Sequence, residues 1–270
     1  MSSRLEAQTR GATYTAAEMM TIAAARALPN GATCLVGIGL PGTAAILARR
    51  VHAPELVLVY ESGPIGAKPG YLPLSIGDGV LAETADTVVS LVEVFNYWIQ
   101  PGRIDIGFLG VAQLDRFANI NTTVIGASYA SPQVRLPGAG GAPEISASCG
   151  EVIIVARQTA ERFVERLDFV TSVGHGEGGD TRRRLGLRGR GPTAVITDLG
   201  VLEPDPVTHE LVLTRVHPGV TEAAVRAATG WDLRVAERLE TTEPPTDEEL
   251  RALRELERAR PNRPRLGAGA

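Results

Sequence analysis

One carboxylate stands where an apolar run stops. In "LVLVYESGPIGA", residues 56–67, the stretch Leu56–Tyr60 reads as a buried strand, and Glu61 follows it before Ser62, Gly63 and Pro64 force a turn. Ligands of open α/β sheets bind beyond the carboxyl ends of the strands, so Glu61 is placed to meet one. A carboxylate between an apolar strand and a Gly-Pro turn is partly desolvated, which makes it a more reactive base or nucleophile. Ribose ligand, general base, covalent nucleophile and plain turn-stabilising acid all remain open at this point.

Two glycine clusters bear on that choice. "VGIGLPG" holds Gly37-x-Gly39-x-x-Gly42 between a strand and a helix, the setting of a dinucleotide fingerprint, and Glu61 follows Gly42 at roughly the distance of the ribose-binding acid. A nicotinamide-dependent oxidoreductase is therefore one alternative. Pro41 argues against it, because it removes an N–H where the helix should receive pyrophosphate. Glycines that merely permit a sharp strand-to-helix turn account for the same residues. The second cluster, Gly138, Ala139, Gly140, Gly141 and Ala142, is nearly bare backbone. Such a loop lets a substrate approach main-chain N–H groups, as an oxyanion hole requires. A nucleophilic acid beside a backbone oxyanion site is a recipe for acyl transfer.

The elements that must position these groups follow from periodicity and punctuation. Helices are expected at 15–28, 41–52, 93–100, 221–228 and 246–259, with capping boxes at Thr15/Glu18 and Thr246/Glu249. Strands are expected at 32–39 and 55–60, then at 87–92, 104–111, 122–125, 151–156, 168–171, 193–197 and 211–216. Residues 31–60 form one β-α-β unit, which implies parallel neighbours. The last helix carries a thin stripe, Leu250, Leu253 and Leu256, expected to pack lightly on the body or a partner, and the final stretch reads as a frayed tail. Residues 174–191 are glycine-rich and basic, a loop.

Composition narrows the class. The 270 residues are 44% hydrophobic, enough for a real core. A net charge of −4 argues against a nucleic-acid partner. No apolar stretch is long enough to span a membrane, and no secretory h-region is visible, so a cytoplasmic setting is expected. Cys34 and Cys149 lack a CxxC spacing and read as small core residues. The four histidines show no metal spacing, and no metal site is expected.

The ordered set of motifs resembles the class I coenzyme A-transferases, specifically the B (β) subunit of the glutaconate CoA-transferase type. The matching pieces are "GIGLPG" at 37–42, "VYESG" at 59–63, "SIGD" at 75–78, "FLGVAQLDRFANINTTVIG" at 108–126, "PGAGGA" at 137–142, "RFVERLDFVTSVG" at 162–174, "RRLGLRGRGPTAVITDLGVL" at 183–202 and "TGWDL" at 229–233. They cover roughly residues 12–235. The resemblance implies an open, largely parallel α/β sheet flanked by helices, the NagB-like half of such an enzyme. It implies one transferase domain over residues 12–240, followed by a charged helix and flexible tail over 241–270.

The resemblance also implies chemistry. Glu61 aligns with the family's catalytic glutamate, which attacks an acyl-CoA thioester, passes through a mixed anhydride and becomes a glutamyl-CoA thioester, with ping-pong kinetics. Coenzyme A enters as a thioester substrate, and no permanently bound cofactor is implied. Gly138, Gly140, Gly141 and Ala142 match the glycine motif beside the thioester, with the N–H groups of Gly140, Gly141 and Ala142 as oxyanion donors. Gly37, Gly39, Ser62, Gly63, Asn119 and Asn121 fall on the family's active-site loops, with Asx-turns the bland account of both asparagines. Ala118 stands where relatives often carry glycine.

Lys68 is the only lysine in the chain and could draw a substrate carboxylate or a CoA phosphate, or simply be solvated. Arg182, Arg183, Arg184, Arg188 and Arg190 could meet CoA phosphates or face solvent or a partner. The resemblance implies a separate A (α) subunit in an α2β2 or larger assembly, with acyl-CoA and a short carboxylic acid as substrates. "YESG" sits closer to the glutaconate branch, which hints at a dicarboxylic or branched acid. Acyl-CoA hydrolysis, other acyl-CoA chemistry of the same family such as decarboxylation, and a non-catalytic scaffold role are the alternatives.

Overall fold

The computed structural model describes residues 14–259. The first residues and the tail after 259, expected to fray, lie outside them. Helix α1 (Ala16–Arg26) opens on Thr15, whose hydroxyl accepts from Glu18 N while Thr15 N donates to Glu18 Oε2, so the first capping box is present. Strand β1 (Thr33–Leu35), helix α2 (Leu40–Val51) and strand β2 (Val57–Val59) form the expected β-α-β unit, with β1 and β2 parallel. Strand β3 (Pro64–Ile65) folds back on β2, helix α3 (Gly79–Glu83) follows, and β4 (Thr87–Val88) pairs with β3.

A short helix α4 (Leu91–Glu93) runs directly into a π-helix, Val94–Ile99, before β5 (Ile106–Leu109) returns to the sheet centre. Two small antiparallel pairs stand off the main sheet: β6 (Gln113–Leu114) with β7 (Ile120–Asn121), and β8 (Val124–Ile125) with β9 (Val134–Arg135). Helix α5 (Ala142–Ser148) leads into β10 (Glu151–Val155), and α6 (Thr181–Arg184) into β11 (Pro192–Ile196). Strands β12 (Gly200–Pro204) and β13 (Leu211–Val216), helix α7 (Glu222–Ala227), β14 (Arg234–Thr241) and helix α8 (Asp247–Arg258) complete the described chain.

Ten strands make one mixed sheet in the order β14-β13-β12-β11-β10-β5-β1-β2-β3-β4. The five central strands, β11 to β2, are all parallel, and antiparallel hairpins extend both flanks. Strand alternation divides the core between the two faces. Cys34, Val36, Leu58 and Tyr60 join the layer of α1, α2 and α8. Leu35, Val59, Ile154 and Val195 join Val94, Ile99, Ile145 and Phe163 on the other side. Both cysteines are fully buried and free. Burial pushes the Cys149 thiol up to about 12 and raises that of Cys34 as well, so both stay protonated at neutral pH.

Several expected elements differ. The stretch 168–171 is not a strand: Phe169 and Val170 are exposed, and the neighbouring Ser172 makes an isolated bridge to Ile120. The expected strand 87–92 stops at Val88, because Ser90 and Glu93 form a capping box that starts α4. Helix α8 packs fully rather than lightly. Leu250, Leu253 and Leu256 are buried in the core, and Arg26–Glu249 and Arg254–Glu18 ion pairs, each at 2.6 Å, tie it to α1.

Candidate active site

Glu61 occupies the tip of the hairpin between β2 and β3. Gly63 N donates to Tyr60 O and Tyr60 N to Pro64 O, which closes the turn tightly. Gly63 has φ 119°, and a Cβ there would lie 2.1 Å from Val89 O, so glycine is required twice over. Ser62 is held from the side, its hydroxyl donating to Ile76 O at 2.6 Å. The segment that supplies Ile76 is itself fixed by Asp78, which accepts from Leu74 N and Val80 N. "SIGD" thus supports the turn that presents Glu61, a half-buried residue.

The glycine loop arrives from the far side of the sheet centre. A Cβ on Gly141 would lie 2.6 Å from Glu61 Oε2 and 2.8 Å from Phe95 Cζ, so the carboxylate and the ring edge both occupy the place of the missing side chain. Gly141 is the N-cap of α5. The N–H groups of Gly140 and Gly141 have no acceptor among the described residues. Two other groups of the loop are occupied. Ala142 N donates to Ala139 O at 3.1 Å, closing the turn into the helix, and Gly138 N donates to Thr122 O at 2.9 Å. Gly138 and Ala142 therefore shape the loop, and the free donors are those of Gly140 and Gly141.

Asn119 and Asn121 hold the scaffold under that loop. Asn121 is fully buried; its Nδ2 donates to Gln113 Oε1 and Val124 O, and its Oδ1 accepts from Thr123 N. Asn119 Oδ1 accepts from Gly174 N and Gly176 N, and its Nδ2 donates to Asp115 Oδ2. Burial raises the Asp115 carboxyl above its usual range, against donors from Asn119 and Phe117 that pull it down. Next to Asn121 stands Thr122, whose hydroxyl donates to Gly138 O at 2.8 Å. The asparagines therefore bear on the glycine loop through the backbone that carries Thr122. Ala118 takes φ 56°, the left-handed backbone that a glycine would supply there.

The first glycine turn does a different job. A Cβ on Gly42 would lie 2.4 Å from Gly37 O, so its role is close packing of helix on turn. Gly39 caps α2 at φ 97°. These residues with Tyr60 and Leu72 line a cavity of about 30 Å³, room for ordered water. Tyr60 Oη is buried in this region without a partner among the described residues.

The charged residues lie elsewhere. Lys68 is exposed and paired with Asp86 at the β3–β4 edge, so its charge already has a partner. Arg182 is buried and donates to Gly174 O, Ser146 O and Arg188 O. Arg188 N donates to Ala147 O and Arg190 N to Gly150 O, which puts this basic loop at the C-terminal end of α5 while Glu61 meets its N-terminal end. Arg183 and Arg184 pair with Asp180, and Arg190 with Glu151. Phe95 and Thr122 are the two residues of this arrangement that sequence reasoning missed. An aromatic inside an apolar helix pattern, and one threonine of a pair, carry no signal that marks them.

The known proteins that this chain resembles point to one family. The family model described as coenzyme A transferase matches residues 17–228. The chain is 62% identical to the B subunit of the 3-oxoadipate CoA-transferase of Pseudomonas knackmussii over 244 residues, 90% of this chain and 94% of that one. It is 36% identical to the B subunit of the glutaconate CoA-transferase of Acidaminococcus fermentans over 86% of this chain and 88% of that one. The crystal structure of that organism's glutaconate coenzyme A-transferase superposes with a TM-score of 0.84 at 34% identity, covering 90% of this chain and 94% of that one. A more distant relative, the IpdB subunit of a cholesterol ring-cleaving hydrolase from Rhodococcus jostii, is 27% identical over 80% of this chain and 81% of that one. With fold and sequence in agreement along most of its length, the chain belongs to the coenzyme A transferase family.

Proposed function

We propose that this chain is the B subunit of a two-subunit CoA-transferase and that Glu61 is its nucleophile. A Glu61 oxygen attacks the acyl-CoA carbonyl carbon, the C–S bond breaks, and CoA thiolate leaves an acyl-glutamyl anhydride. The thiolate then attacks the glutamyl carbonyl, releasing the first acid as carboxylate and leaving CoA on Glu61 as a thioester. A second acid reverses both steps. Each attack puts negative charge on a carbonyl oxygen, and the N–H groups of Gly140 and Gly141 are the donors that would receive it, each worth about 3 kcal/mol in the barrier. The observation that carries this is the close approach of Gly141 to Glu61 Oε2, made possible by the missing Cβ.

The acid substrate is a dicarboxylate of the size of 3-oxoadipate, as the name of the 62% identical relative suggests. The relatives named as B subunits support a separate A subunit. The proposed assembly is α2β2 or larger and works in the cytoplasm. Among the described residues no helix is long and apolar enough to cross a membrane. The test is transfer of label from free acid into CoA ester by the purified two-subunit complex. Transfer that needs both subunits and is lost in Glu61→Gln is the expected result; full transfer by this chain alone overturns the two-subunit assignment. Hydrolysis is the second reading, favoured by the hydrolase relative, and loss of thioester with no label entering CoA ester would establish it.

A further inference from the structure

We propose that Phe95 is the wall that keeps water from the covalent adducts of Glu61, so that they wait for an acid instead of being hydrolysed. This rests on Glu61 being the nucleophile proposed above. The ring edge and Glu61 Oε2 meet the same point on Gly141, at 2.8 Å and 2.6 Å from where a Cβ would stand. The carboxylate and the hydrocarbon ring thus converge on one small space beside the bare glycine. Phe95 is only partly buried, unlike its neighbour Val94, so the ring stands at the rim of that space and not in the core behind it.

The backbone is unusual where it delivers this ring. Gln100 N donates to Phe95 O and Arg103 N to Trp98 O, both at 2.9 Å, across the five-residue steps of a π-helix. Val94 and Ile99 are both fully buried although five positions apart. In an α-helix five residues turn about 140° past a full circle, so the two could not share a face. The π-turn lets both anchor in the core while Phe95, next to Val94, leans over Gly141. Single-turn π segments recur at functional sites. A phenyl ring has no polar atom to offer the reaction, so its contribution is to occupy space that water would otherwise fill.

The step it suppresses is explicit. A water oxygen attacks the glutamyl carbonyl carbon of the Glu61–CoA thioester and the C–S bond breaks. One water proton goes to the leaving sulfur, the other is lost to solvent, and Glu61 returns as a carboxylate. Each such event consumes a thioester without moving CoA to an acid.

The experiment uses the purified complex with its A subunit, an acyl-CoA and labelled 3-oxoadipate. It compares free CoA released with label entering CoA ester in wild type, Phe95→Leu, Phe95→Val and Phe95→Ala. The hydrolytic share should rise about tenfold in Phe95→Ala and stay near wild type in Phe95→Leu, which refills most of the space. Should Phe95→Ala fail to assemble, Phe95→Val must leak more than Phe95→Leu. A hydrolytic share that stays constant along the series while turnover falls would overturn the proposal, as would a Leu variant that leaks as much as Ala. Wild-type transfer that survives Glu61→Gln would instead sink the nucleophile assignment, whatever Phe95 does.

Discussion

The two glycine turns, 37–42 and 138–142, look alike in sequence and differ in what their glycines make room for. Each leads into a helix with a proline in its first turn. In the first, Gly42 is glycine because a carbonyl of its own turn lies 2.4 Å from where a Cβ would be. In the second, Gly141 is glycine because a carboxylate and an aromatic ring from other parts of the chain lie there. One absence of a side chain serves packing of backbone on backbone. The other lets the Glu61 carboxylate come up beside a turn whose Gly140 and Gly141 N–H groups are free. Glycine spacing alone does not separate the two; what matters is which atom occupies the missing Cβ's place.

That contrast breaks most visibly at Gly141. Gly141→Ala should lower kcat of the assembled complex by a factor of about 100 or more, since a Cβ there must displace Glu61 or Phe95. Its melting temperature should move little, because both neighbours are side chains that can shift. Gly42→Ala should do the reverse. The added Cβ meets a fixed backbone carbonyl, at a cost of about 3 kcal/mol in urea denaturation, while kcat per folded complex stays within a few-fold of wild type. Equal patterns of loss in the two variants would erase the distinction.

A third probe reads the scaffold beneath the second turn. His175 is buried, stacks on His209 at 4.7 Å between ring centroids, and donates through Nε2 to Pro192 O. Burial holds its pKa down to about 4, with His209 and Arg182 adding to the effect. The unfolded chain therefore binds the extra proton first as pH falls. The stabilisation is complete above about pH 6.5 and is lost as pH falls towards 4, about 3 kcal/mol in all. His175→Gln should flatten that part of the stability–pH curve, measured by denaturant midpoints; an unchanged slope would remove His175 from the account. The smallest expected effect is at Lys68. Its exposed pair with Asp86 is worth under about 1 kcal/mol, and Lys68→Ala should leave KM for both substrates unchanged. A rise in KM for one substrate would return the lysine to the site.

Local signals made much of this legible in the sequence. The β1-α2-β2 unit, the parallel centre of the sheet and the boxes at Thr15/Glu18 and Thr246/Glu249 follow from patterns within a few residues, and Glu61 at a strand tip follows from them. The "S-x-x-E" of Ser90 and Glu93 is an equally local signal for α4, as is Pro143 for α5. What sequence could not show depends on distant partners. Residues 168–171 have strand-like side chains, but among the described residues only Thr171 N, donating to Ile120 O, makes a backbone bond of the kind a strand needs; side chains supply the rest, with Thr171 Oγ1 accepting from Thr122 N and Asp168 Oδ2 from Gly126 N. Strand β14, "RVAERLET", is polar because it lies at the sheet edge. That Ala142 N is spent on Ala139 O, or that Phe95 reaches Gly141, follows from three-dimensional closure of a loop and a π-turn, neither of which leaves a residue pattern.

The central claim is that the Glu61 carboxylate leaves the first half-reaction bonded to the sulfur of CoA. The direct measurement is mass spectrometry of the Glu61-containing peptide after the assembled complex meets acyl-CoA without acceptor acid and is quenched with borohydride. Reduction of the Glu61 side chain to the alcohol, absent when acyl-CoA is omitted, is the predicted result. An unmodified Glu61 in a complex that is turning over CoA would contradict it.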